Sequence, residues 1–247
     1  MEKDNILMSV VTTCFNQNRY IEKAIESISE QTYKNWELII IDDASTDDSV
    51  KTIKETIKKL NIENKVKLII NKENKGCGFS LKRGIENTNG YLVSIVDGDD
   101  AIAHKKAFRI IIKYHLKYPN ASMTYSNYYD CDKHLKPIRL YRSRQIEEGR
   151  SYADTKIRIS HLKTFKKHLY DKSLGVNSKL YQTVDKDLVL KLEEVGDLLW
   201  INETLYYYRK HNRSLTRTWA KKGKEYYSYV SKMRKLVFVE AKERRKK

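Results

Sequence analysis

Gly90-Tyr91-Leu92-Val93-Ser94-Ile95-Val96-Asp97-Gly98-Asp99-Asp100 is a short apolar run that stops on three carboxylates in four residues. It predicts a strand over Tyr91–Val96, entered by the Asn89-Gly90 turn and buried on both faces. Trp36–Ile41 is a second such run and ends on Asp42-Asp43. Upstream, Leu7–Thr12 makes a first strand, and Ile21, Ala24, Ile25 and Ile28 recur behind it at helical spacing. Ser45 or Thr46 is placed to cap a helix carrying Val50, Ile53, Ile57 and Leu60. Val66–Ile70 makes a third strand, and a loop with Gly76 and Gly78 precedes a helix over about Phe79–Asn87. Strands alternating with helices predict an α/β fold, a mostly parallel sheet covered on both faces by right-handed crossovers.

In such sheets ligands bind at the carboxyl ends of the strands. Polar residues gather there: Thr12, Thr13 and Asn16 after the first strand, Asp42 and Asp43 after the second, and Asp97, Asp99 and Asp100 after the fourth. Carboxylates so crowded repel one another unless a cation neutralises them. Hard divalent ions take oxygen ligands, with phosphate oxygens completing the shell, and Gly98 lets backbone and metal approach closely. The bland alternative is an acidic, solvated turn, and Asp42-Asp43 has a similar alternative as helix-capping chemistry. Gly76, Gly78, Lys82 and Arg83 offer a helix N-terminus and cations near phosphate, although the glycine spacing fits neither the dinucleotide nor the P-loop pattern.

The second half is less regular. It predicts a long helix near Ala103–Tyr118, a short strand at Ser122–Tyr125, an Arg-rich stretch at Arg139–Arg144, and a helical segment after His161. Val184, Leu188, Val189, Leu192 and Val195 keep helical register, which puts Asp185 near a helix start. Leu205–Arg209 reads as a last strand, and the basic tail after Thr218 as one more helix.

Composition narrows the classes. With 247 residues, 40% hydrophobic and 33% charged, the chain can bury a full core in one domain. Its apolar runs are far shorter than the roughly 20 residues that cross a bilayer. The charged start, Met1-Glu2-Lys3-Asp4-Asn5, lacks the apolar segment of a secretory signal, so a cytoplasmic protein is expected. Cys14, Cys77 and Cys131 form neither a disulfide framework nor a zinc pattern. Of the net charge of +17, residues 216–247 supply +9, from twelve Lys/Arg against three Glu. Such a tail suits anionic lipid headgroups at the inner face of the membrane, nucleic acid, or plain solvation.

Together and in order, four segments resemble glycosyltransferase family 2 with the GT-A type fold. They are Ser9-Val10-Val11-Thr12-Thr13-Cys14-Phe15-Asn16, the run from Gln31 to Asp47, Asn74-Lys75-Gly76, and Gly90 to Asp100. Fainter similarity continues through His161-Leu162-Lys163-Thr164-Phe165, Asp185-Lys186-Asp187-Leu188 and Tyr207-Tyr208-Arg209-Lys210-His211. The resemblance implies a Rossmann-like, nucleotide-binding sheet with a donor half over 1–100 and an acceptor half over 101–215, followed by a basic helical extension over 216–247. It implies that Thr12, Asn16 and Asp43 line base and ribose beside Asp42, with Thr13, Gly76, Lys82, Asp97 and Gly98 also at the nucleotide. Asp97 and Asp99 form the family's DxD motif, with Asp99 as direct ligand to Mn²⁺ or Mg²⁺ and His211 close to the metal or diphosphate. Asp100, His161 and Arg209 fall where diphosphate or acceptor is met. Asp185 matches the general base, although Val184 stands where Glu is usual, and Leu81-Lys82 stands where Arg-Asn is frequent.

The implied activity is inverting, metal-assisted transfer of a sugar from a nucleotide-diphosphate donor, a UDP-sugar first, to a glycan or lipid-linked hydroxyl. Two other classes fit the residues less well. A nucleotidyltransferase wants a Gly-rich loop after the first strand, where Thr13–Asn18 has no glycine. A nucleic-acid binder would place phosphates against the acidic strand ends, so no nucleic acid is expected.

Overall fold

A computed structural model describes residues 5–212, 214 and 223–246. The four apolar runs become β1 (Met8–Cys14), β2 (Trp36–Asp42), β3 (Val66–Ile70) and β4 (Leu92–Ile95). They lie in the order β3-β2-β1-β4 and pair in parallel throughout. Their crossovers carry α1 (Ile21–Ser29), α2 (Ser49–Lys59) and α3 (Cys77–Glu86). The expected stripe holds in α1, whose buried residues are Ile21, Ala24, Ile25 and Ile28.

Beyond β4 come β5 (Ala101–Ile102), α4 (Ala107–Lys117), β6 (Ala121–Cys131), β7 (Pro137–Tyr141), β8 (Thr164–Lys166), α5 (Lys167–Lys172), α6 (Val184–Glu193), β9 (Asp197–Arg209) and α7 (Lys224–Arg244). The sheet continues as β4-β8-β6-β9-β5, with β7 on the side of β6. Here β6 and β9 pair in parallel, while β8 runs antiparallel between β4 and β6. Two apolar layers cover the sheet. Met8 and Val10 of β1 join α1, α2 and α4 in one; Val11, of opposite parity, joins α3, α6 and α7 in the other.

Several boundaries differ from the sequence expectations. The helix expected from Ala103 begins at Ala107, because β5 pairs with β9 and the Ala103 N–H donates to the Leu205 carbonyl. The short strand at Ser122–Tyr125 runs on to Cys131; Ser126 and Asn127 are buried inside the sheet and hydrogen-bonded there. The last strand starts at Asp197 rather than Leu205, and part of the Arg-rich stretch is β7. Thr164–Lys166, expected to be helical, extends as β8 to fill the sheet between β4 and β6. Neither Ser45 nor Thr46 caps α2, whose N-cap is Asp48; Ser45 Oγ instead accepts the Asn16 N–H.

The basic tail is helical from Lys224, and residues 215–222, where its start was expected, lie outside the described residues. α7 does not stand clear of the domain. It buries Tyr226, Val237 and Ala241, sets Arg244 bidentate on Glu194 at the end of α6, and pairs Arg245 with Glu193 and Lys242 with Asp154. Among the described residues no helix is long and apolar enough to cross a membrane.

The contact of α3 with β1 needs a glycine. A Cβ on Gly84 would stand 2.4 Å from Val11 Cγ1 and 3.3 Å from Ile41 Cγ1. Alanine would gain about 1 kcal/mol of helix propensity over glycine. The overlap, however, falls on fully buried β-branched side chains, and overpacking of that kind costs about 1–3 kcal/mol. Gly84→Ala should therefore lower the urea midpoint at an unchanged m value; an equal or higher midpoint would mean the layer yields.

Candidate active site

A cleft of about 1560 Å³ opens over the carboxyl ends of β1, β2 and β4. At one end the loop after β1 is locked to the loop after β2. Asn16, at φ 54°, accepts the Thr46 N–H at 2.8 Å, and its own N–H donates to Ser45 Oγ at 2.9 Å. Asp43 accepts from Asn71 Nδ2 at 2.6 Å, Lys75 N at 3.0 Å and Gly76 N at 2.8 Å. That buried carboxylate thus shapes the loop it shares the cleft with. Thr13, Asn16, Asp43 and Gly76 all line the cleft.

Seven expected site residues lie off the lining: Thr12, Asp42, Lys82, Gly98, Asp100, Arg209 and His211. Thr12 is fully buried in the strand, with its hydroxyl unpartnered by hydrogen bonds. Asp42 is fully buried and accepts the Ser45 N–H at 2.9 Å, a structural contact within its own turn. Lys82 points along α3, 3.9 Å from Glu86 and about half exposed.

The end of β4 forms the acidic floor. Gly98 donates to the Thr13 carbonyl, and a Cβ there would meet that oxygen and Gln17 Oε1 at 2.9 Å, so the close passage of the two loops requires glycine. Asp97 and Asp99 line the cleft. Burial, then the charge of Asp99, pushes the Asp97 carboxyl up to about 6, opposed by Lys163. Asp100 lies behind, raised well above the carboxylate range by burial and by Asp99 and Asp97. One of its oxygens accepts the Arg209 N–H at 2.7 Å.

Two groups that follow β9 in the chain or end it address this floor from behind. The Arg209 guanidinium donates to the Asp99 carbonyl at 2.5 Å and lies 4.7 Å over the Tyr20 ring. His211 Nε2 sits 2.8 Å from Asp99 Oδ2. His161 lies in the cleft, stacked on Tyr206 at 4.4 Å; burial, then Lys163 and Arg158, holds its imidazole neutral. Ligand atoms of Asp97, Asp100 and His161 lie within 4.8 Å of one another, a set with the mixed oxygen and nitrogen chemistry that divalent cations take.

Across the cleft, Asp185 is the second residue of α6, set by the left-handed turn at Thr183 (φ 63°) and exposed to the cleft. Val184 is buried under it, so the position where the resemblance has Glu packs the core.

Sequence reasoning missed the contribution of α7. Tyr226, Val230, Arg234 and Phe238 line the cleft at intervals of four, the spacing of one helix face. That row is present in the sequence, but the surrounding cations dominate the segment. Lys163, Lys186 and Cys77 were missed as well, being single polar residues in otherwise apolar or irregular stretches. The Cys77 thiol is pushed up to about 12 by burial and by Asp97 and Asp185, which makes it a poor nucleophile at neutral pH.

Residues 9–174 match the family described as Glycosyl transferase family 2. The glycosyltransferase GlyG of Streptococcus pneumoniae serotype 4 is 28% identical over 246 residues, covering 90% of this chain and 78% of that protein. Three further glycosyltransferase relatives are spanned over only 52%, 32% and 33% of their lengths. Among solved structures, S. aureus TarS 1-349 in complex with UDP-GlcNAc superposes with a TM-score of 0.69 at 18% identity, covering 85% of this chain and 60% of that one. The mannosyltransferase PcManGT of Pyrobaculum calidifontis, in complex with GDP-Man and Mn²⁺, gives 0.66 at 16% identity, over 87% and 60%. At those identities the structures establish a shared GT-A type fold.

The raised Asp97 carboxyl makes a pH prediction. Its ordinary value is 3.8 and its folded value about 6, so the folded state holds a proton that the unfolded chain releases, and the metal-free protein loses stability as pH rises between those values. Asp97→Asn should stabilise the metal-free protein at pH 7, on the order of 1–3 kcal/mol. The gain should shrink as pH falls through 6 and vanish below about 4, as read by thermal melts; a pH-independent difference would place its cause elsewhere.

Proposed function

The chain belongs to glycosyl transferase family 2, and on that premise we propose an inverting transferase that passes a sugar from a nucleoside diphosphate donor to a hydroxyl acceptor in polysaccharide or glycolipid synthesis. The observation that carries this reading is a single cleft that holds the acidic end of β4, the Asp43-braced loop and Asp185. A UDP-sugar is the first donor to test, since TarS 1-349 was solved with UDP-GlcNAc; the GDP-Man complex of PcManGT makes guanosine the next.

In this reading the base and ribose sit over Thr13, Asn16 and Asp43, and the diphosphate reaches the floor at Asp97 and Asp99. Asp185 takes the proton from the acceptor hydroxyl as its oxygen attacks the anomeric carbon. The bond from that carbon to the diphosphate oxygen breaks with its electron pair, and configuration inverts in one step. The transition state has oxocarbenium character, as in glycoside hydrolysis. Asp97, raised by burial and then by the charge of Asp99, belongs with Asp100 and His161 to a set whose ligand atoms lie within 4.8 Å of one another, which fits a divalent cation such as Mn²⁺ or Mg²⁺ beside Asp99. Asp97 and Asp99 would hold it with His211 beside Asp99, and when bound it supplies neutralisation of charge on the departing diphosphate. Asp100 and Arg209 brace that floor, and His161 borders it on the acceptor side.

Two outcomes check the assignment. Asp185→Asn should keep UDP affinity while sugar transfer falls by about 10²–10⁴-fold, the contribution of a general base; normal turnover would end its role. Asp99→Ala should lose Mn²⁺-dependent UDP binding in calorimetry, and an unchanged titration would remove the metal from this floor.

A further inference from the structure

Away from the end of β4 the cleft is basic. Lys156, Arg158, Lys163, Lys186, Arg234 and Lys235 line it, and among the described residues none has a carboxylate within 4.0 Å. On α7 the cations of the last turns, Lys242, Arg244 and Arg245, each meet a carboxylate, whereas the cleft-lining Arg234 and Lys235, like the exposed Lys224 and Lys232, meet none among the described residues. Like charges gathered without counter-charge cost stability unless an anion joins them.

The donor diphosphate does not account for all six. Lys163 bears on Asp97 as well as on Lys186 and so lies between the two ends. Arg234 instead bears on Lys186 and Tyr152, on the side of Asp185. Burial pushes the Lys186 ammonium down, and Arg234, Lys163 and Arg158 add to that against the attraction of Asp185. An anion held by Lys186, Arg234 and Lys235 would lie beside the residue read above as the base, where the acceptor must present its hydroxyl.

We propose that these three cations form an acceptor subsite for an anionic glycan, one carrying a phosphate or a carboxylate near the hydroxyl that is glycosylated. The inference rests on the reading of Asp185 as base. Arg234 supplies a planar fork that matches either anion, and Lys186 and Lys235 add point charges from two helices.

The test is calorimetry on the full chain saturated with UDP and Mn²⁺, titrated with three matched ligands: a neutral N-acetylglucosamine disaccharide, the same disaccharide bearing a phosphate monoester, and one ending in glucuronate. An anionic ligand should bind about tenfold more tightly than the neutral one, the scale of one charged hydrogen bond, and the preferred anion identifies the acceptor class. In Arg234→Gln/Lys235→Gln that preference should disappear while UDP affinity stays, which also reports that the variant folds. Equal binding of all three ligands, binding of none, or a preference untouched by the double substitution would overturn the subsite. Loss of UDP affinity in the variant would return these cations to the donor. A wild-type chain that does not bind UDP or GDP would instead sink the donor reading itself.

Discussion

Carboxylate repulsion at the end of β4 governs how the second half of the chain is arranged. Asp97, Asp99 and Asp100 stand within four residues at a buried strand end, where low-dielectric walls strengthen like-charge repulsion. The chain answers with groups from far along its length: the Arg209 N–H on Asp100, the Arg209 guanidinium on the Asp99 carbonyl, and His211 on the Asp99 carboxylate. Delivering them requires a strand that runs the depth of the sheet, and β9 does so over thirteen residues, in parallel register with β6. The long β6–β9 pair thus serves the floor of the cleft as well as the core. What remains uncompensated faces the cleft, where a diphosphate and its cation would meet it.

The first hundred residues were legible because burial on both faces writes a strand as a mostly apolar run. Trp36–Ile41 and Leu92–Val96 carry that signature, interrupted only by Glu37 and Ser94, and the acidic residues after them announce the site. β6 and β9 do not carry it. Tyr, Thr, Ser and Asn alternate through Ala121–Cys131, and their burial depends on partners such as the Trp200 indole on Asn127 that only the tertiary structure supplies. β8 has three residues and no local pattern to read; its place is dictated by the gap between β4 and β6. Residue type alone also could not separate lining from scaffold. Asp42 and Asp43 are neighbours of one kind, yet strand parity sends one into the turn beneath the cleft and the other to its wall.

Glycine and carboxylate share the work of bringing the loops together. Gly98 permits the contact with Thr13 and Gln17, and Gly76 takes φ 86° so that its N–H reaches Asp43. A Cβ at Gly76 would stand 2.5 Å from the Tyr181 ring, which carries the wall of the cleft onward to the segment before α6. Those two stretches of wall are therefore packed against each other along Gly76–Gly78, where Cys77 Sγ also donates to the Tyr181 carbonyl and a Cβ on Gly78 would meet the Leu180 and Asn177 carbonyls. Movement of residues 177–181 would be felt at the Asp43 loop.

α6 carries Asp185 at one end and is clamped at the other. Arg244 and Arg245 sit on Glu194 and Glu193, cations at the carboxyl end of a helix where its dipole favours them. Exposed ion pairs contribute little singly, but these are partly buried, bidentate in the case of Arg244, and backed by Val237 and Ala241 in the core. The same helix that clamps α6 sends Tyr226, Val230, Arg234 and Phe238 back along the cleft. A tail that reads in sequence as surplus charge is divided by its geometry into two jobs: the cations of its last turns fix the helix bearing Asp185, and those of its middle turns set the potential that an incoming ligand meets.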